Sequence, residues 1–434
     1  MTALFLSSMV NARHTFCQYI ALTLLFGRCI IQKVFGGVGM KLSYEAKKAI
    51  RLGTLCSVAY LAVYIARNIL GAVSPAMIES GLFTTQNIGT MSSLYFISYA
   101  IGQLINGIAG DRIKAKYMIS FGLIFAGVCN VLLGVFTHSL MSEYIIYTLS
   151  GFFLSMIYGP MTKVVSENTS LKYATRCSLG YTFASFIGSP IAGILAAALL
   201  WVAVFYLGGA ILIIMGVVCI VVFSVLERKG EVKYNQFEEK EKKQNSFKVL
   251  IKNDIIRFTL VSALTGIVRT AVVFWMPTYF SQHLGFSTKD SAMIFTVTSL
   301  IISSAAFIAI FIYEKLGFKM YLSLGLFFSL SAVCFAGMMV VKSAFVNIAL
   351  ITLAVIFANC AATILWSIYC PSLSRTGMVS SATGYLDFIS YIAASVSSSL
   401  FAGAVDRIGW GNLILVWLLL MAIGLPISIK YKKD

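Results

Sequence analysis

Polar residues in this chain are confined to short stretches, and the apolar segments between them have a fairly constant length. Crossing a bilayer core about 30 Å thick takes ~20 apolar residues of helix. From Thr54 onward there are twelve such runs, near 54–78, 88–110, 117–137, 140–165, 177–200, 203–226, 255–280, 291–313, 320–341, 345–370, 378–404 and 409–429. Most connections are short, so consecutive helices are expected to be antiparallel neighbours. One connection differs. Residues Glu227 to Asp254 contain EVKYNQFEEKEKKQNSFK, a mixed-charge stretch that cannot enter lipid. The pattern predicts an all-α membrane protein with twelve transmembrane helices. A six-helix bundle over 40–226 is followed by a cytoplasmic linker over 227–254 and a second six-helix bundle over 255–434.

The first 39 residues do not fit this pattern. Their apolar stretch, Tyr19 to Phe35, is interrupted by Arg28 and Lys33, and a thirteenth span would move the N-terminus outside. Met40, followed by basic residues, reads as the natural start of translation, with residues 1–39 an extension ahead of it.

Composition supports the membrane reading. Of the 434 residues 59% are hydrophobic and 11% charged, with a mean hydropathy of +0.89. A water-facing surface needs about 25% charged residues, so an ordinary soluble enzyme, a disordered chain and a nucleic-acid binder are excluded. The formal charge of +17 acquires a meaning once it is located along the chain. With the N-terminus and the linker cytoplasmic, 25 of the 33 Lys and Arg fall in cytoplasmic segments and only Lys289, Lys342 and Arg407 fall outside. Cytoplasmic loops collect basic residues, so both termini are expected in the cytoplasm. The nine cysteines are scattered, mostly within apolar runs, and read as small buried hydrophobes.

The two halves repeat. Arg67 precedes Pro75 by eight residues, and Arg269 precedes Pro277 by eight. Beyond each proline comes a loop with a Phe and hydroxyls, Phe83-Thr84-Thr85-Gln86 and Phe286-Ser287-Thr288-Lys289. Gly180-Tyr181 in the fifth span matches Gly384-Tyr385 in the eleventh. Parallel repeats of this kind are related by an axis along the membrane normal and place a site where the halves meet, near the midplane.

Away from the span ends, three charges stand within the spans: Arg67, Arg269 and Asp387. An arginine at the centre of a membrane helix costs ~2.5–3.5 kcal/mol on insertion scales, so it faces a wet cavity or a partner. Two arginines at equivalent points of a repeat are expected at one depth on either side of a central cavity. Two guanidinium forks there can hold a phosphate or carboxylate. Asp387 offers three roles: counter-ion, proton-coupling group, or acceptor for a substrate hydroxyl. Tyr60, Tyr64 and Arg67 share a helical face, and Asn68 follows. Gln103 and Asn106 form either cavity polar groups or interhelical hydrogen bonds, and Trp275 walls the cavity or packs in the core.

At the turn after the second span, Gly107, Asp111, Arg112, Lys114 and Lys116 form the pattern G-x-x-x-D-R-x-K-x-K. This resembles the signature loop of the major facilitator superfamily, whose role would be conformational gating. With Tyr60-x-x-x-Tyr64-x-x-Arg67-Asn68 and Arg269 ahead of Phe274-Trp275-Met276-Pro277, the chain from Thr54 to Lys430 is similar to the organophosphate:phosphate antiporter branch. The resemblance implies that Arg67 and Arg269 bind a phosphoryl group of a glycerol 3-phosphate, hexose phosphate or phosphoglycerate type of substrate. Inorganic phosphate would be exchanged for it by alternating access in a bacterial cytoplasmic membrane. Asn68 stands where that branch often has lysine, Gln103 replaces a basic residue, and Ser185 replaces an expected histidine. The cavity is therefore less positive than in the branch, and a sugar acid carried with a proton, with Asp387 as the coupling acid, is the alternative. The chain has no P-loop and no HExxH, and His14, His138 and His283 lie in the extension or in external loops. Neither enzymatic activity nor a cofactor or metal is expected. The expected partners are the anion, phosphate and the bilayer, with no nucleic acid, and the protein is expected to act as a monomer.

Overall fold

A computed structural model describes residues 43–137, 139–234, 251, 253–372 and 379–428, all without strand. The extension over 1–39 and most of the linker lie outside the described residues. Six helices precede the linker: α1 Tyr44–Glu79, α2 Thr85–Arg112, α3 Ala115–Val135, α4 Leu140–Asn168, α5 Leu171–Ala198 and α6 Trp201–Arg228. After it come α7 Ile255–Gln282, α8 Thr288–Lys315, α9 Met320–Val340 and α10 Ala344–Tyr369. The last helical stretch, Val379–Ile427, bends at Gly409, whose φ of 75° takes it out of the helix. Residues 379–408 are α11 and 410–427 are α12. Among the described residues ten helices are long and apolar enough to cross a membrane, the bent stretch counting as one of them.

Local chemistry explains the repeated loops. After α1 the chain turns at Gly81 (φ 76°), and after α7 it turns at Gly285 with the same φ of 76°. Glycine takes this conformation without the penalty a Cβ would bring. The hydroxyls that follow are helix caps. Thr84 Oγ1 accepts from Asn87 N at 3.1 Å while Asn87 Oδ1 accepts from Thr84 N at 2.9 Å, a reciprocal box opening α2. In the second half Ser287 Oγ accepts from Asp290 N at 3.1 Å and opens α8. Such caps are worth ~0.5–2 kcal/mol each, and they fix where the neighbouring helices begin.

Packing follows the same repeat. In the first half α1 lies against α5 and α6, α2 against α4, and α3 against α4 and α6. In the second half α7 lies against α11, α8 against α10, and α9 against α10 and the bent stretch. Membrane helices approach closely where small residues meet. At the α3–α6 crossing a Cβ on Gly127 would stand 2.7 Å from Gly209 O, and one on Gly209 would stand 2.7 Å from Gly127 O. Large apolar side chains such as Ile214, Phe307 and Val333 cover the outside, as a lipid-facing surface requires.

The halves touch through α1–α7, α2–α11 and α5–α8. Ser92 Oγ lies 2.7 Å from Ser398 Oγ, and Ser93 Oγ donates to Ser395 O at 2.6 Å. Ser395 Oγ donates back to Ser93 O at 2.7 Å, and Ser74 Oγ lies 2.7 Å from Thr278 Oγ1. All these groups sit toward the helix ends that carry Gly81 and Gly285. Toward the linker ends, a Cβ on Gly159 of α4 or Gly384 of α11 would have no atom within 4 Å. Among the described residues, the hydroxyl seam joins the halves on the side away from the linker.

Candidate functional site

Arg67 sits in the middle of α1, half-buried, inside a cage of phenols. Its guanidinium carbon lies 5.4 Å from the ring centre of Tyr64, 5.3 Å from that of Tyr99 and 4.8 Å from that of Tyr391. Nη1 also donates to Tyr391 Oη at 2.7 Å. Tyr64 is one turn back on α1, Tyr99 comes from α2 and Tyr391 from α11, so the cage spans both halves. Cation–π contacts reach about 2 kcal/mol when desolvated, and together with the hydrogen bond they offset the ~2.5–3.5 kcal/mol of placing an arginine at this depth. Tyr60 stands behind the cage with its ring 5.0 Å from Tyr64 and 5.4 Å from Tyr158. It is 8% exposed, so it supports the cage by packing. Asn68 turns its Nδ2 back onto Tyr64 O at 2.6 Å, which leaves Oδ1 to offer.

Arg269 has different surroundings, although it occupies the equivalent point of the repeat. It lies in a π-helical turn, Ile267–Val272, and its guanidinium is 6.0 Å from the ring of Trp366. Trp366 belongs to the second π-helical turn, Ile364–Tyr369. Such turns occur most often at functional positions. Arg269 lines a cavity of 130 Å³ together with three pairs of polar residues. They are Ser185 and Ser189 on α5, Ser299 and Ser303 on α8, and Asn359 and Thr363 on α10. Arg67 does not line it.

Asp387 is half-buried on α11, one turn before Tyr391. The charges of both Arg269 and Arg67 act on it, and its own charge acts on Tyr158. Among the described residues it makes no ion pair within 4.0 Å. The centre therefore holds two positive groups and one negative group, with phenols on one side and hydroxyls on the other.

The remaining sequence candidates are placed as follows. Gln103 is half-buried on α2. Its neighbour Asn106 donates from Nδ2 to Ser155 Oγ at 2.7 Å, an interhelical bond to α4. Trp275 is fully buried and lies away from the cavity. Its ring stands 3.4 Å from where a Cβ on Gly89 would be, at the contact of α2 with α7. The surroundings of Gly107 and the side chains of Asp111 and Arg112 lie outside what is described, while the basic residues beyond them are held in place. Lys114 Nζ donates to Glu227 Oε1 at 2.8 Å, and Lys116 pairs with the other oxygen of the same carboxylate. The hydrogen bond to Glu227 raises the pKa of Lys114, so its charge is secure. Among the described residues no group of His, Cys, Asp and Glu could hold a metal ion.

Sequence reading missed Tyr99, Tyr391 and Trp366, whose rings surround the two arginines, and it missed the hydroxyl wall. The wall had a signal. Three spans each carry a polar pair spaced i, i+4, which places both members on one helix face.

Comparison with known proteins gives partial and near-complete matches. The chain is 35% identical over 94 residues to the membrane sensor protein UhpC of Salmonella typhimurium, covering 22% of this chain and 21% of the sensor. The chain thus spans about a fifth of the length of that relative. It is 24% identical over 272 residues to the glycerol-3-phosphate transporter of Bacillus subtilis, covering 57% of this chain and 61% of that one. Against the phosphoglycerate transporter protein of Salmonella typhimurium it is 25% identical over 396 residues, 83% of this chain and 84% of that one. Among solved structures, a D-xylose-proton symporter superposes with a TM-score of 0.69 at 12% identity, covering 88% of this chain and 97% of that one, a likeness of fold. The sequence model of the Major Facilitator Superfamily matches residues 56–398, and with most of its length inside that match the chain belongs to this superfamily of membrane transporters.

Proposed function

We propose that the protein is a secondary transporter that exchanges a small phosphorylated metabolite for inorganic phosphate. Twelve spans in two six-helix bundles, related by a pseudo-two-fold axis along the membrane normal, would rock about the central charges in alternating access. The observation that carries this reading is the charge at the centre. Arg67 and Arg269 lie at membrane depth with one carboxylate, Asp387, acted on by both and paired with neither within 4.0 Å. An anion of phosphate chemistry completes such a site. Guanidinium forks bind its oxygens bidentately, and the excess of positive charge sets the charge of the ligand it prefers. The relatives that carry organophosphates support the same substrate class. With the hydroxyl seam closing the side away from the linker, the state described here would open toward the cytoplasm, and both termini would lie there. The site belongs to one chain, which would work as a monomer in the bacterial inner membrane.

In this reading the central groups divide the work. Arg67 and Arg269 supply the attraction, and the phenols hold Arg67 in register. Asp387 limits the net charge so that ligand release costs little. In proteoliposomes preloaded with phosphate, uptake of an organophosphate should depend on the internal phosphate and be lost in Arg67→Ala and in Arg269→Ala. The position of Asp387 favours one second reading, an organic-anion (sugar acid):proton symporter with Asp387 as coupling acid. Uptake that follows an imposed pH gradient, ignores internal phosphate and is abolished in Asp387→Asn would establish that reading in place of the exchanger.

A further inference from the structure

The cavity beside Arg269 has a hydrogen-bonding character of its own. Ser303 Oγ donates to Ser299 O at 2.8 Å, Thr363 Oγ1 donates to Asn359 O at 2.9 Å, and Asn359 Nδ2 donates to Val355 O at 3.0 Å. The two hydroxyls commit their hydrogens to their own helices and present oxygen lone pairs, while Asn359 offers its Oδ1 and its second amide hydrogen. One group does the opposite. Ser299 lines the cavity and is 5% exposed, and its Oγ is buried with no hydrogen-bond partner, so its donor is unused beside the cavity. A buried polar atom left in this way costs free energy unless something arrives to meet it.

Size narrows the occupant. Complete small-molecule sites enclose ~300–1,000 Å³, whereas this compartment measures 130 Å³ and so admits one end of a ligand. Chemistry narrows it further. The phosphoryl group of an ester dianion offers only acceptors and is repelled by the lone pairs of Ser303 and Thr363, and inorganic phosphate has only one or two hydroxyls to set against its other acceptor oxygens. A hydroxylated carbon chain carries a donor and an acceptor on every hydroxyl. It can donate to those oxygens and accept from Ser299 and Arg269 in one pose. One π-helical turn carries Arg269, which lines the compartment, and the other ends the regular part of α10 at Thr363.

We propose that this compartment, formed by α5, α8 and α10, seats the hydroxylated end of a short polyol phosphate. It would distinguish that substrate from phosphate itself and from esters without hydroxyls. The inference rests on the exchange reading above, with the phosphoryl group held at the arginines while the polyol end occupies the compartment.

The test compares two exchanges in proteoliposomes carrying the full chain: phosphate against phosphate, and glycerol 3-phosphate against phosphate. In Thr363→Val and Asn359→Leu the KM for glycerol 3-phosphate should rise by about tenfold, as expected when a hydrogen bond to a buried group is lost. Phosphate self-exchange should keep its KM, and Thr363→Ser should restore the first value. If the self-exchange KM rises in step, the compartment holds the phosphoryl group and the proposal is overturned. If neither KM moves, it holds no ligand, and the proposal is likewise overturned. Thermal unfolding of the detergent-purified protein provides a second measurement. Glycerol 3-phosphate should stabilise the wild type more than phosphate does at the same concentration, and Thr363→Val should erase the difference. Equal stabilisation of the wild type by both probes overturns the proposal. A wild type without phosphate self-exchange refutes the exchange reading instead, and the unfolding comparison still decides the compartment.

Discussion

Removing two hydroxyls from the contact of α2 with α11 tests which side of the transporter is closed and how firmly. Ser93 and Ser395 exchange hydrogen bonds onto each other's backbone at 2.6 and 2.7 Å. Each peptide oxygen already serves its own helix, so the variant Ser93→Ala/Ser395→Ala removes attraction without leaving a carbonyl bare. Interhelical hydrogen bonds in membranes average ~0.6 kcal/mol, so the pair contributes about 1.2 kcal/mol to the closed arrangement. That amounts to roughly an eightfold change in the ratio of closed to open populations. Spin labels at Leu82, after α1, and at Lys289, in the first turn of α8, stand on opposite halves at the seam side. Distance distributions between them should show the longer population growing by about that factor in the variant. An unchanged distribution, with the melting temperature also unchanged, would refute the assignment of the seam as a gate. A cysteine pair checks the same geometry from the other direction. Ser93 Oγ and Ser395 Oγ are 3.1 Å apart, so Ser93→Cys/Ser395→Cys should oxidise to a disulfide that stops transport until a reductant is added.

Two further predictions concern the arginine cage. A methyl group added in Gly188→Ala would stand 2.4 Å from Tyr64 Cβ and 2.9 Å from the Tyr64 carbonyl carbon, where α5 lies against α1. Overpacking of this kind costs ~1–3 kcal/mol, so both the melting temperature and the uptake rate should fall, and wild-type values for both would count against the close packing. Arg67→Lys keeps the charge but loses the planar fork that lies among three rings and bonds Tyr391. The KM for organophosphate should rise by about tenfold or more with little change in melting temperature, whereas an unchanged KM would mean that charge alone suffices there.

Much of this was legible in the sequence because membrane insertion imposes few alternatives. Apolar runs of span length, a charged stretch between the sixth and seventh, and basic residues on one side fixed the helices and their expected order. The repeated loops were visible too, although their hydroxyls proved to be helix caps at Thr84 and Ser287. The asymmetry of the two arginines was not visible. Spacing to a proline says where a residue stands along its own helix. It says nothing of which rings arrive from α2 and α11, since those depend on how the halves dock. Trp275 illustrates the same limit. Its distance from Arg269 along α7 left a cavity wall or core packing open, and the rotation of the helix sets its buried ring beside α2. The hydroxyl wall was the most legible of the missed features, because its i, i+4 pairs are a property of each helix alone.

The hydroxyl seam and two rings of the cage lie on the same two helices. Ser92 and Ser93 are about two turns from Tyr99 on α2, and Ser395 is about one turn from Tyr391 on α11. α2 and α11 are rigid over such short distances, so separating them at the seam also separates Tyr99 from Tyr391. Arg67 then keeps Tyr64, which belongs to its own helix, and loses either the ring of Tyr99 or both the ring and the hydrogen bond of Tyr391. Its guanidinium would become more exposed and, in the proposed exchange, freer to bind an anion on the side that has just opened. Arg269 has no such cross-half restraint among the described residues, since its ring partner Trp366 belongs to the same half. The two arginines therefore differ in what opening does to them. Arg67 would change its availability with the state of the seam, while Arg269 keeps Trp366 and the compartment walls from α8 and α10, and only the α5 wall, Ser185 and Ser189, belongs to the other half. In the exchange reading, such a transporter would take the specificity of its site from the α8 and α10 wall beside Arg269 and the timing of capture and release from the caged Arg67.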